Sequence, residues 1–139
     1  MRFMMIVKSD PVSEQQTPKA EDFEMMGKYN QTLRDAGVLL TLDGLSSSKD
    51  GAKVTFNDGK PTVKDGPFTE AKELVAGFWI IQVRSKEEAI EWAKRIPFSH
   101  GESVEIRRVA EASDFADIMS PSAMAEEEAM RAEFSGKSN

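Results

Sequence analysis

At 139 residues the chain has the size of one domain, with 24 acidic against 18 basic residues and a net charge of −6. It contains no cysteine, which excludes disulfides, thiolate metal sites and a cysteine nucleophile. Residues 1–110 are close to neutral, whereas 111–139 carry seven acidic residues against Arg131 and Lys137. That balance argues against nucleic-acid binding, which needs a basic face for phosphates.

Residues 2–8 alternate Phe3, Met5 and Val7 with Met4, Ile6 and Lys8, apolar on both faces as in an inner strand rather than a signal peptide. No segment approaches 18 apolar residues, so a cytoplasmic protein without a membrane partner is expected. Asp10 to Thr17 reads as a polar loop. Thr17-Pro18 then supplies an N-cap and a first-turn proline, and Phe23, Met26, Leu33 and Ala36 recur at helical spacing. The spacing predicts a helix over 18–36 that Gly37 ends.

Residues 38–42 read as a strand and Ser46 to Gly51 as a polar turn. Residues 52–56 and 62–63 flank Asp58-Gly59, a strong hairpin signal, and Pro61 assigns that hairpin to a sheet edge. Residues 74–83 are the most apolar stretch and predict a central strand. Alternation sends Trp79, Ile81 and Val83 to the helix-covered side, and Phe78 and Ile80 to the other. Ser85 and Glu88 form a capping box for a second helix that Pro97 stops, and 103–109 read as a last strand. Beyond it, Ser113 is placed as the cap of a short helix and Ser120-Pro121 as the start of another. Six large apolar residues in this tail, from Phe115 to Phe134, call for a docking surface on the chain itself or on a second subunit.

The order β-α-β-hairpin-β-α-β predicts an α+β fold of ferredoxin-like plan with an inserted edge hairpin. The domain expected is 1–110, followed by an acidic helical extension over 111–139. A sheet with helices on one side leaves its other face in need of a partner, and a homodimer is expected.

The stretch Asp65-Gly66-Pro67-Phe68-Thr69-Glu70-Ala71-Lys72-Glu73 closely resembles the DGPFAETKE signature of the YCII-related family, in its DGPF subgroup. Residues 33–39, Asp43-Gly44-Leu45 and Glu91 to Pro97 agree with it, so the resemblance spans about 2–110. It implies a dimeric α/β-barrel arrangement, two sheets packed face to face, and a mostly unassigned activity. Some members carry a His–Asp pair associated with the first helix and the strand after it. Helix 1 here has no histidine, so that pair is not carried over.

Four sets of residues are candidates for chemistry. Asp65 and Glu70 could act as acid or base in the signature loop, with Phe68, Lys72 and Glu73 binding substrate. Against this, the same residues could simply shape a turn. His100, the only histidine, is the natural general acid/base by residue type, although it sits in a loop where surface roles are common. Arg108 or Arg107 could clamp a carboxylate, but alternation lets only one face a given pocket. Phe78, Trp79 and Trp92 read as core before they read as a cavity wall. There is no metal-ligand pattern, phosphate loop or dinucleotide fingerprint, and no cofactor is expected. The reading that follows is a small-molecule cleft, with cofactor-free lyase or isomerase chemistry by acid and base. The alternative is a non-catalytic ligand- or protein-binding regulatory module, because genes of the DGPF type often neighbour those of extracytoplasmic-function sigma factors.

Overall fold

The computed structural model describes residues 1–137 and divides into two compact units, Met1–Arg108 and a second from Val109 onward. The first unit runs β1 (Arg2–Ser9), α1 (Ala20–Asp35), β2 (Leu39–Gly44), β3 (Ala52–Asn57), β4 (Lys60–Asp65), β5 (Leu74–Gln82), α2 (Lys86–Lys94) and β6 (Ser103–Arg108). Four strands form one sheet in the order β2-β5-β1-β6, with every neighbour antiparallel. Two βαβ halves interleaved this way give an α+β, ferredoxin-like architecture.

Period-two alternation sorts the sheet into two faces. Phe3, Met5, Trp79, Ile81 and Val83 are buried together with Tyr29 and Leu33 of α1, Ala89 of α2, and Ile96. Both helices therefore cover the same face, and the expected side for Trp79, Ile81 and Val83 is the observed one. Trp79 also donates its indole N–H to Asn30 Oδ1 at 2.8 Å and meets the Tyr29 ring edge-on at 5.6 Å. Tyr29 in turn donates to the Trp92 carbonyl at 2.7 Å, tying α1 to α2. Burial pushes the Tyr29 phenol up to about 12, so it stays a hydrogen-bond donor at any physiological pH.

The opposite face pairs Met4 with Ile80 and Ile6 with Phe78, flanked by Thr41, Asp43, Glu105 and Arg107. These four apolar side chains are half-buried in the single chain, on the side away from both helices of this unit.

Several expectations need correction. Helix α1 starts at Ala20, not at Pro18: Asp22 accepts the Lys19 N–H at 3.0 Å, closing the first turn one residue after the proline. Phe23 keeps the helical spacing but is 68% exposed. Helix α2 ends at Lys94, before Pro97 is reached. Its start behaves as expected, with Ser85 Oγ accepting from Glu88 N–H at 3.1 Å, although Glu88 reaches back to the Arg84 N–H. Strands β3 and β4 pair with each other as a two-stranded sheet, not as an edge of the larger one. Their Asp58-Gly59 turn has φ of 51° and 77°, the left-handed conformations that such a hairpin needs.

In the second unit a 3₁₀ turn, Ala112–Phe115, precedes α3 (Pro121–Lys137). Glu111, not Ser113, caps the first: its N–H donates to Asp114 Oδ2 at 2.8 Å. Ser120 caps the second as expected, accepting the Ala123 N–H at 3.2 Å. No helix among the described residues is long and apolar enough to cross a membrane.

Candidate active site

The loop between β1 and α1, the loop after β2 and the signature loop meet at one end of the sheet. Their meeting is held by backbone-directed hydrogen bonds. Glu14 Oε1 accepts from Ser47 Oγ at 2.8 Å and from the Ser48 N–H at 2.6 Å. Ser48 Oγ then accepts the Phe68 N–H at 3.1 Å, and the Gly66 N–H donates to the Gly51 carbonyl at 2.9 Å. Gly66 is required here by space. A Cβ at this position would lie 1.7 Å from the Ser48 carbonyl oxygen.

Two cavities of about 490 and 680 Å³ open around this junction and share Ser9, Ser13, Gln16, Pro18 and Ala76 as lining. Sharing these five residues, they adjoin as two ends of unlike lining. One end combines Leu45, Phe68, Leu74 and Val75 with the serines of the β2 loop and with Glu14 and Asp50. The other gathers Lys8, Lys19, Lys72, Glu73 and His100, with Asp10, Asp22 and Glu102.

Most acids at this second end are engaged within the chain. Asp10 accepts from Ser13 through its N–H at 2.7 Å and its hydroxyl at 3.1 Å, which holds its carboxyl below the usual range. Asp22 caps α1, and Glu102 accepts the His100 N–H at 2.8 Å. Lys8, whose side chain is only 20% exposed, lies 3.6 Å from Glu105 and 3.9 Å from Glu73. The Lys19 and Lys72 ammonium groups and the His100 ring, by contrast, make no hydrogen bond or ion pair among the described residues. This cavity thus mixes four carboxylates with three lysines, of which Lys19 and Lys72 have ammonium groups that no carboxylate among the described residues engages.

Of the residues singled out from sequence, Lys72, Glu73 and His100 come together at the charged end, and Phe68 lines the apolar end. The Phe68 ring is half-buried beneath Lys53 Nζ, 4.7 Å from its centroid. Asp65 and Glu70 fall outside the lining. Glu70 is paired with Lys64, whose hydrogen bond holds its carboxyl down and charged. Arg108 ends β6, outside the cleft lining, and Arg107 pairs with Glu105 at 3.2 Å on the open face. Sequence reasoning missed Glu14, Lys8 and the Ser47-Ser48 pair. Loop carboxylates and serines carry no periodicity, and only Asp10 with Ser13, an acid three residues before a donor, signals a structured turn. Among the described residues no group of three or more His, Asp or Glu side chains could hold a metal ion.

The match to the YCII-related domain extends over residues 1–113, the whole first unit including every residue of the cleft. The chain belongs to the YCII-related family. An uncharacterised protein of Rhizobium meliloti (strain 1021) is 33% identical over 79 residues, which are 55% of this chain and 64% of the relative. The chain thus spans less than two thirds of that curated relative's length. The YCII-related unit is therefore a sheet with helices on one face and two adjoining cavities at the loop junction.

Proposed function

We propose that this YCII-related protein binds a small carboxylate in the cleft, and that His100 serves there as a proton carrier for lyase- or isomerase-type chemistry without a cofactor. The observation that carries this reading is that the Lys72 and Lys19 ammonium groups and the His100 ring, none with a hydrogen bond or ion pair among the described residues, line one cavity that adjoins an apolar one. An ammonium group can hold a carboxylate as a point charge, and an imidazole titrates near neutrality. Glu73, which lies 3.9 Å from Lys8 and lines the same cavity as His100, is the acidic neighbour in this reading. Asp65, Glu70 and Arg108 are not part of the proposed site.

The reading includes a homodimer that covers Met4, Ile6, Phe78 and Ile80 with a second sheet, a dimeric α/β barrel, in the cytoplasm. The signature from Asp65 to Glu73 supports placement in the DGPF subgroup. A non-catalytic, partner-binding role is favoured by a different observation, the hairpin. Val54, Phe56 and Val63 lie on one face of it and are 50%, 69% and 68% exposed.

Thermal-shift and calorimetric titration with small alkanoates and phenolic acids tests the proposal. Binding is expected to weaken in Lys72→Ala, with the unliganded melting temperature unchanged. For any substrate found, His100→Gln should lower turnover by roughly 100-fold or more. If no carboxylate binds and both variants match the parent, the cleft reading is wrong and the partner-binding one stands.

A further inference from the structure

The β3–β4 hairpin has two unlike faces. Its register sets Val54 opposite Val63 and Phe56 opposite Pro61 on one face, and Lys53 opposite Lys64 and Thr55 opposite Thr62 on the other. The lysine face is turned to its own chain: Lys53 Nζ lies 4.7 Å from the centroid of the Phe68 ring, and Lys64 pairs with Glu70. Alternation therefore directs the apolar face away from the signature loop, and Val54, Phe56 and Val63 remain 50%, 69% and 68% exposed. A two-stranded hairpin without cover is marginal in water, and this one has no third strand. Strand addition at its edges is opposed by Pro61, which has no N–H to donate, and by Lys53, Lys60 and Lys64. The surface that invites a partner is the face, not an edge.

We infer that the apolar face of the hairpin packs against a second copy of this chain and completes the homodimer interface proposed above. The inference rests on that homodimer and adds the surface that brings it to a stable size. A stable interface buries about 800 Å² on each partner, of which roughly 57% is apolar, so about 450 Å² of apolar surface is needed. Met4, Ile6, Phe78 and Ile80 on the open sheet face are already half-buried, and four such side chains leave only about 200–300 Å² to cover. Val54, Phe56 and Val63 add about 300 Å² at their exposures, which carries the total past the requirement. Both surfaces belong to every copy, so a two-fold arrangement covers them in both chains at once and leaves no open end.

The test uses the full-length chain in sedimentation equilibrium across micromolar concentrations, with Phe56→Lys and Val63→Lys on the apolar face and Thr55→Lys on the lysine face. All three positions are exposed, so an unchanged melting temperature checks the fold. The two apolar-face variants are expected to raise the dimer dissociation constant roughly tenfold or more, and Thr55→Lys to leave it unchanged. The chain has no cysteine, so Val54→Cys can carry a photo-reactive benzophenone label at a single site. Irradiation should then join two chains through that label. If Phe78→Lys breaks the dimer while Phe56→Lys and Val63→Lys leave it intact, and the label joins only residues of one chain, the hairpin inference is overturned. The sheet-face dimer then survives, and the hairpin is left to a different partner. If wild type is a monomer throughout that range, both are overturned. Should a lysine variant not fold, the cross-link still decides the question.

Discussion

Replacing Gly66 by alanine should damage the junction on which the cleft depends. The added Cβ would sit 1.7 Å from the Ser48 carbonyl oxygen and 2.6 Å from its carbon, both backbone atoms that cannot rotate aside. Ordinary contact requires a separation of about 3.4 Å, so one loop must move by roughly 1.7 Å. Movement of that size breaks the Gly66 to Gly51 hydrogen bond and pulls Ser48 away from the Phe68 N–H. Two hydrogen bonds at about 1 kcal/mol each, with overpacking of about 1–3 kcal/mol, give a loss of about 2–4 kcal/mol after partial relaxation. For a unit of this size that lowers the melting temperature by on the order of 10–20 °C. Gly27 is the control. It lies inside α1 with nothing within 4 Å of its Cβ position, so Gly27→Ala should stabilise by about 0.5–1 kcal/mol through helix propensity. Scanning calorimetry of both variants decides the matter. If Gly66→Ala melts within about 3 °C of wild type, the close approach to Ser48 is not a constraint and the reasoning fails.

Leu33 is fully buried under the sheet, and Leu33→Ala should cost about 2–5 kcal/mol in urea denaturation; a loss below about 1 kcal/mol would contradict the packing of α1. Asp10, Glu14, Glu70 and Glu105 all have lowered folded-state pKa values, Glu105 through the Arg107 hydrogen bond first and then through Lys8. Since each folded carboxyl lies below its unfolded value, their contribution is fully present above the unfolded value and is lost as the pH falls through the folded one. Stability should therefore be level above about pH 5 and fall below about pH 4, and Glu14→Gln should flatten part of that fall; parallel acid profiles for wild type and variant would rule out the Glu14 share. Sedimentation at micromolar concentration should give a dimer that Ile6→Lys or Phe78→Lys converts to monomer without loss of helix. A wild-type monomer across that range would leave the half-buried Met4, Ile6, Phe78 and Ile80 without their proposed cover.

Local pattern carries much of the fold. The alternation through Phe78 to Val83 places Trp79 and Ile81 against the helices, because successive strand side chains must point to opposite faces. The Asp58-Gly59 turn and the Ser85 and Ser120 caps are legible for a similar reason, since each is decided within four residues. Where local signals compete, tertiary context settles the outcome. Pro18 and Pro97 look like helix limits in the sequence, but α1 and α2 stop short of them, with Asp22 capping one end and the chain turning at Arg95 at the other. Phe23 matches the helical period yet lies exposed, because periodicity assigns a face and cannot say how far the covering sheet extends.

The cleft is half legible. Residue type alone draws attention to Lys72, Glu73 and His100, and the fold brings them together across the gap from the signature loop to the loop before β6. Glu70 looks equivalent to Glu73 in the sequence, but it pairs with Lys64 of β4 and does not line either cavity, whereas Glu73 does. Glu14 is invisible for the opposite reason. Its neighbours in sequence say nothing of Ser47 and Ser48, 33 and 34 residues away, and only the closing of the sheet puts their donors on its carboxylate. Chain order determines which strands and helices form, because those depend on near neighbours. Which loop carboxylate ends up ionised beside a cleft depends on contacts between distant segments, and those exist only once the sheet has assembled.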